Sequence, residues 1–129
     1  MSAEIRYRFL FRFAALYNIA AGLITIVAPQ AFFRLFGLPD INHAYVMSGL
    51  GMFVAVYGIG FYLVSTDLRH YHHFALLGLV GKSCGVIGWT YHTIIGTIPV
   101  AALWTNVCND LVWIPLFIAY LRWHRRTVV

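Results

Sequence analysis

Charge is what this chain most lacks. Asp, Glu, Lys and Arg make up only 10% of the residues, against 61% hydrophobic, and mean hydropathy is +0.78. A water-soluble domain of 129 residues needs far more polar surface than that. Cysteine is equally scarce. The two present, Cys84 and Cys108, fall inside apolar runs with no CxxC spacing, so they carry no compartment signal and are expected as small packing residues. There is no phosphate-binding glycine loop, no nucleophile elbow and no HExxH, which removes the common soluble-enzyme chemistries. The formal net charge of +5 would suggest nucleic acid in a soluble protein. Here the basic residues sit at the ends of apolar runs, where they act as topology determinants, and no nucleic-acid partner is expected.

What the chain does have is four apolar runs, residues 9–28, 44–64, 74–95 and 100–121. Each is close to the roughly 20 residues that cross a bilayer as a helix. Basic residues ahead of the first run raise the possibility of a signal peptide, but the run exceeds a signal core and lacks a small-x-small cleavage site, so it is read as a membrane helix. The expected fold is all-α: one integral membrane domain, a four-helix transmembrane bundle with antiparallel up-down topology. The segment PQAFFRLFGLPD sets Phe32, Phe33, Leu35, Phe36 and Leu38 around Arg34 between prolines. It predicts a short interfacial helix between the first two spans that caps one mouth of the bundle. The termini and the second loop hold seven arginines, Arg6, Arg8, Arg12, Arg69, Arg122, Arg125 and Arg126, whereas the first and third loops hold only Arg34. Positive residues favour the cytoplasmic side, so both termini are expected there.

Small residues predict the packing faces. Ala14, Asn18, Ala21 and Thr25 share one face of the first span, and Ser48, Gly51, Ala55 and Gly58, continued by Tyr62, share one of the second. In the third span Gly78, Gly81, Gly85 and Gly88 form a stripe, extended by His92, that is expected to pack against neighbours. Pro115 is expected to kink the fourth span or free a carbonyl.

The same spans carry the candidate site. Lys82 stands in the middle of the third and Asp110 within the fourth, and the GTIP connection makes these two an antiparallel hairpin. Residues whose numbers sum to about 194 then lie at equal depth, which sets Lys82 and Asp110 about 3 Å apart in height. Asn18 reaches a similar level, and Asn106 and Asn109 lie on the Asp110 face. An unpaired charge at mid-bilayer costs about 2.5–3.5 kcal/mol or more, so Lys82 and Asp110 are expected to face each other. With Asn18, Asn106, Asn109, His92 and Tyr57 they form the expected ligand-binding or polar centre; no catalytic residue and no cofactor is assigned. Cys84 and Cys108 should turn away from it. No metal site is expected: His70, His72, His73 and His124 share one membrane side, but HxHH lacks a recognised zinc spacing and suits interfacial anchoring.

Residues 17–39, YNIAAGLITIVAPQAFFRLFGLP, with a mid-helix glycine, a proline at the outer end and an FF-x-x-FG-x-P segment, resemble the small four-helix membrane proteins of the DoxX-like group. NDLVWIP, residues 109–115, is similar to a stretch in uncharacterised bacterial proteins of this length. The resemblance implies a bacterial inner-membrane bundle. Some members of that group are associated with quinone-linked sulfur oxidation, and many have no known activity; no motif transfers a site. The expected function is therefore binding of a small ligand at mid-membrane, as an accessory or transport component, alone in the lipid bilayer, as a homo-oligomer or within a larger membrane complex. The alternatives are a membrane enzyme, quinone-linked or acting on another lipophilic substrate, and a structural assembly subunit.

Overall fold

The computed structural model describes residues 2–35 and 37–128. It is all-α, with no strand among the described residues. Helix α1 (Ala3–Val27) starts at Ser2, whose hydroxyl accepts the Ile5 N–H at 3.4 Å. It therefore begins six residues before the apolar run, and Arg6, Arg8 and Arg12 ride on the helix rather than ahead of it. Nothing in SAEIRYRF breaks a helix, and hydropathy marks only the part that lies in lipid. Helix α2 (Pro29–Leu35) takes its proline at the first position, where no N–H is needed. Helices α3 (Ala44–Thr66) and α4 (His72–Ile94) follow, and Gly96, at φ +75°, supplies the turn into the fourth span.

The fourth span, Val100–Thr127, is not one regular helix. It opens as a 3₁₀ turn (Val100–Ala102), continues as α5 (Leu103–Asn106), widens into a π turn (Val107–Leu111) and resumes as α6 (Trp113–Val128). The irregularity precedes Pro115, which sits in the first turn of α6, where a proline is tolerated. Four helical segments are thus long and apolar enough to cross a membrane, Ala3–Val27, Ala44–Thr66, His72–Ile94 and Val100–Thr127. Large apolar side chains such as Phe9, Phe53, Val56 and Ile87 point outward, as a lipid-facing surface requires.

The most extensive helix pair is α1 with α3. A Cβ on Gly22 would stand 2.6 Å from the Gly51 carbonyl oxygen, one on Gly51 2.8 Å from that of Gly22, and one on Gly58 2.9 Å from that of Ala15. Only glycine lets the two backbones come this close. Ser48 adds a hydrogen bond to the Ile26 carbonyl at 3.1 Å. The expected Ser48, Gly51, Ala55, Gly58 face is therefore the α1 contact, but Tyr62 does not continue it. Tyr62 is 54% exposed, and beyond Gly58 the contact with α1 passes instead to Phe61, whose ring lies 6.2 Å from that of Phe11, and to the Ser65 and Thr66 carbonyls held by Arg8.

The dense core lies toward the end that holds both termini and the 67–71 loop. Phe11, Phe61, Phe117 and Tyr120 are fully buried, with ring centroids 4.6 Å (Phe11–Tyr120), 5.1 Å (Phe61–Phe117) and 5.4 Å (Phe11–Phe117) apart. The Tyr120 hydroxyl donates to the Leu68 carbonyl at 2.6 Å, tying the loop to the core. Arg8 reaches across to the Ser65 and Thr66 carbonyls at 2.8 and 2.6 Å, satisfying the open end of α3. At the opposite end Gln30 holds Ile41 through two hydrogen bonds, to its carbonyl at 2.9 Å and from its N–H at 3.3 Å, and Arg34 pairs with Asp40 at 3.2 Å. Phe36, and the side chain of Phe32, lie outside the described residues.

Candidate functional site

Beyond that aromatic core, the middle of the bundle becomes polar. Lys82, halfway along α4, is 8% exposed, and Asp110, in the π turn, 6%. The two meet with Nζ 3.4 Å from Oδ1. Lys82 also donates to the Asn109 carbonyl, and the Asn109 side-chain amide donates to Asp110 Oδ1 at 3.2 Å. Each buried charge thus has one ionic and one neutral partner, the condition for holding such groups inside a membrane protein. The Asp110 carboxylate lies directly against Gly85, occupying the space a Cβ there would fill. Close approach at this point comes from a glycine on one helix and a widened turn on the other, in which the Val112 N–H reaches the Val107 carbonyl at 3.2 Å.

A cavity of about 180 Å³ adjoins the pair, lined by Lys82, Asp110 and Asn109 together with Asn18, Tyr57 and Gly81. It exists because the glycine face of α4 is only partly used for packing. Gly78 is packed hard, with Phe61 ring atoms 2.6 Å from its would-be Cβ. Gly81 faces the Tyr57 hydroxyl at 3.6 Å, and Gly88 meets nothing within 4 Å. The expected packing stripe is therefore a contact at its first step and open space at its last. A second cavity, about 540 Å³ and mostly apolar, lies toward the α2 end between Phe33, Leu38 and Pro39 on one side and Gly85, Gly88 and Trp89 on the other.

The structure brings together Lys82, Asp110, Asn109, Asn18 and Tyr57 and leaves two expected members apart. Asn18 lines the cavity but spends its amide on the Ala14 carbonyl of its own helix at 2.8 Å, so it does not bond to the ion pair. Asn106 is turned toward α4, donating to the Val86 carbonyl at 3.3 Å, with Oδ1 buried and unpartnered. The π turn between Asn106 and Asp110 breaks the constant angle per residue that had set them on one face. His92 is exposed and bonds to Thr97 Oγ1 at 2.8 Å; it stands at the wall of the larger cavity, nearly three helical turns from Lys82. Sequence reasoning missed Gly85 and the Asn109 carbonyl. Gly85 was findable, since its number and that of Asp110 sum close to the equal-depth value, whereas the carbonyl depends on the π turn and has no sequence signal.

The cysteines are both exposed and away from the centre, and the Cys108 carbonyl accepts the Tyr17 hydroxyl at 3.4 Å. His72 stacks on His124 with centroids 4.1 Å apart and lies tilted against His73 at 3.8 Å, and His70 turns edge-on to Tyr71. Among the described residues no three His, Cys, Asp or Glu side chains converge as ligands of one metal ion. In the neighbouring loop Asp67 Oδ1 accepts the backbone N–H groups of His70 and Arg69 at 3.0 and 2.9 Å. Those two bonds, His70 foremost, hold the Asp67 carboxyl below the usual carboxylate range. No family model, no curated protein and no solved structure matches this chain.

Proposed function

We propose that the chain binds a small ligand in the cavity beside Lys82 and Asp110 and serves as an accessory or transport component of the membrane. The observation that carries this reading is the meeting of a buried ion pair with open volume. A pair that only locked two helices needs no accessible space beside it, whereas a binding site is a concave space with a few polar groups converging on it. Here about 180 Å³ adjoins it, against the roughly 10–15 Å³ that a single water requires. Lys82 and the Tyr57 hydroxyl can donate into that space and Asp110 can accept, which suits a small polar or anionic group. With α1 and α3 clamped together through Gly22, Gly51 and Gly58, conduction in this reading is assigned to a homo-oligomer or a larger complex. In the same reading the chain is a DoxX-like protein of a bacterial inner membrane. The excess of arginine at the end holding both termini supports a cytoplasmic position for them.

The apolar cavity of about 540 Å³ on the far side of Gly85 favours one second reading, a membrane enzyme acting on a lipophilic substrate. Mass spectrometry of small molecules that stay with the purified protein tests both. The parent chain should retain a ligand that the Lys82→Met, Asp110→Leu double variant loses while still folding. Retention of the same molecule by the double variant would remove the site. Flux of that molecule in proteoliposomes then supports transport, and its chemical conversion supports the enzyme.

A further inference from the structure

Two of the arginines at the end holding the termini differ from the rest in what surrounds them. Arg122 and Arg125 lie one turn apart on α6 and line a groove of about 230 Å³ between α6 and α4. Its other walls are Leu76 and Leu79 of α4 and Ile118 and Leu121 of α6. Among the described residues neither guanidinium has a carboxylate or a hydrogen-bond acceptor as partner. Arg8, by comparison, holds the Ser65 and Thr66 carbonyls, and Arg34 and Arg69 pair with Asp40 and Glu4 at 3.2 and 3.9 Å; Arg6, Arg12 and Arg126 lack such partners too among the described residues, and what joins Arg122 to Arg125 is the groove that both line.

The order of residues along the groove matches the order of groups in a phospholipid. From Ile118 to Arg125 is seven residues, about 10 Å along a helix axis. The apolar half points to the middle of the span, and the cationic half points to its end. A leucine-walled slot inside a membrane takes hydrocarbon. Two uncompensated guanidiniums at its edge take phosphate, with which arginine forms paired, charge-assisted hydrogen bonds. Basic pockets between membrane helices are suited to acidic headgroups for this reason. We infer that the α4–α6 groove is a binding site for one anionic phospholipid, with an acyl chain along Leu76, Leu79, Ile118 and Leu121 and its phosphate between Arg122 and Arg125. The site is separate from the Lys82–Asp110 cavity and does not depend on what that cavity binds.

Arg126 makes the test specific, because it is exposed on the same helix but does not line the groove. Delipidated protein in a mild detergent would be titrated with phosphatidylglycerol, phosphatidylcholine of the same chain length, and inorganic phosphate, and bound species counted by native mass spectrometry. Phosphatidylglycerol should be retained in preference to phosphatidylcholine by a factor on the order of thirty, the contribution of two arginines near the membrane surface. Arg122→Gln with Arg125→Gln should abolish that preference, Arg126→Gln should keep it, and Leu79→Trp, which fills the groove, should weaken retention with both arginines present. Equal retention of the two lipids, an equal loss in Arg126→Gln, or full displacement by inorganic phosphate would each overturn the assignment.

Discussion

Replacing Lys82 by Met keeps the length of the side chain and removes the charge that faces Asp110. The carboxylate, 6% exposed, would then keep only the Asn109 amide at 3.2 Å and would stay pressed against Gly85. Breaking a buried ion pair from one side costs about 3–5 kcal/mol, because the other charge is left uncompensated. The cavity of about 180 Å³ beside the pair can admit water to the orphaned group, so the lower end of that range, about 3 kcal/mol, applies. Asp110→Leu should lose a similar amount, since it strands Lys82 on the Asn109 carbonyl. Leu also branches at Cγ and fits the space the carboxylate fills. The double variant Lys82→Met, Asp110→Leu should therefore return to within about 1 kcal/mol of the parent. Reversible unfolding of the four proteins in mixed micelles reads this cycle directly. Additive losses, or single losses below about 1 kcal/mol, would refute the claim that the two charges stabilise each other. A stable double variant also separates stability from ligand retention, which the proposed function requires it to lose.

Gly22 of α1 and Gly88 of α4 should respond in opposite ways. Gly22→Val places a Cβ 2.6 Å from the Gly51 carbonyl oxygen and should cost about 1–3 kcal/mol or more by forcing α1 off α3, whereas Gly88→Ala meets nothing within 4 Å and should stabilise by about 0.4–1 kcal/mol. Thermal unfolding of the two variants checks this, and a destabilised Gly88→Ala would mean that α4 is packed where it is open here. The Asp67 turn should weaken in acid: its carboxyl is held below the usual range by the His70 and Arg69 N–H groups, so the folded loop binds fewer protons than the unfolded one. Its contribution is complete above the ordinary carboxylate range and is lost as pH falls from there through the lowered value of the folded carboxyl. Protection of the Arg69 and His70 amides, taken relative to their intrinsic exchange at each pH, should therefore fall in acid, and in Asp67→Asn it should show no such step; an unchanged pH profile in the variant would reject the turn as its source.

The sequence by itself determined the class of the fold, the number of apolar spans and the meeting of Lys82 with Asp110. Those features depend on local quantities: the hydropathy of about twenty consecutive residues, a fixed rise per residue, and a connection too short to do anything but reverse the chain. Gly96 and Pro99 bring α4 and the fourth span back to back, and from there depth is arithmetic.

Only the tertiary structure decided which small residues are contacts and which are space. Gly22, Gly51 and Gly58 clamp two backbones together, while Gly81 and Gly88, identical in composition and spacing, border cavities. The difference lies in where the neighbouring helix runs, and helix crossing is a property of the whole bundle. The π turn at Val107–Leu111 likewise could not be read from VCNDL. It rotates Asn106 away from the ion pair and leaves a backbone carbonyl, rather than a second asparagine side chain, as the neutral partner of Lys82. Periodicity holds while each helix is regular, and it failed at the one turn where the backbone widens beside the buried charges.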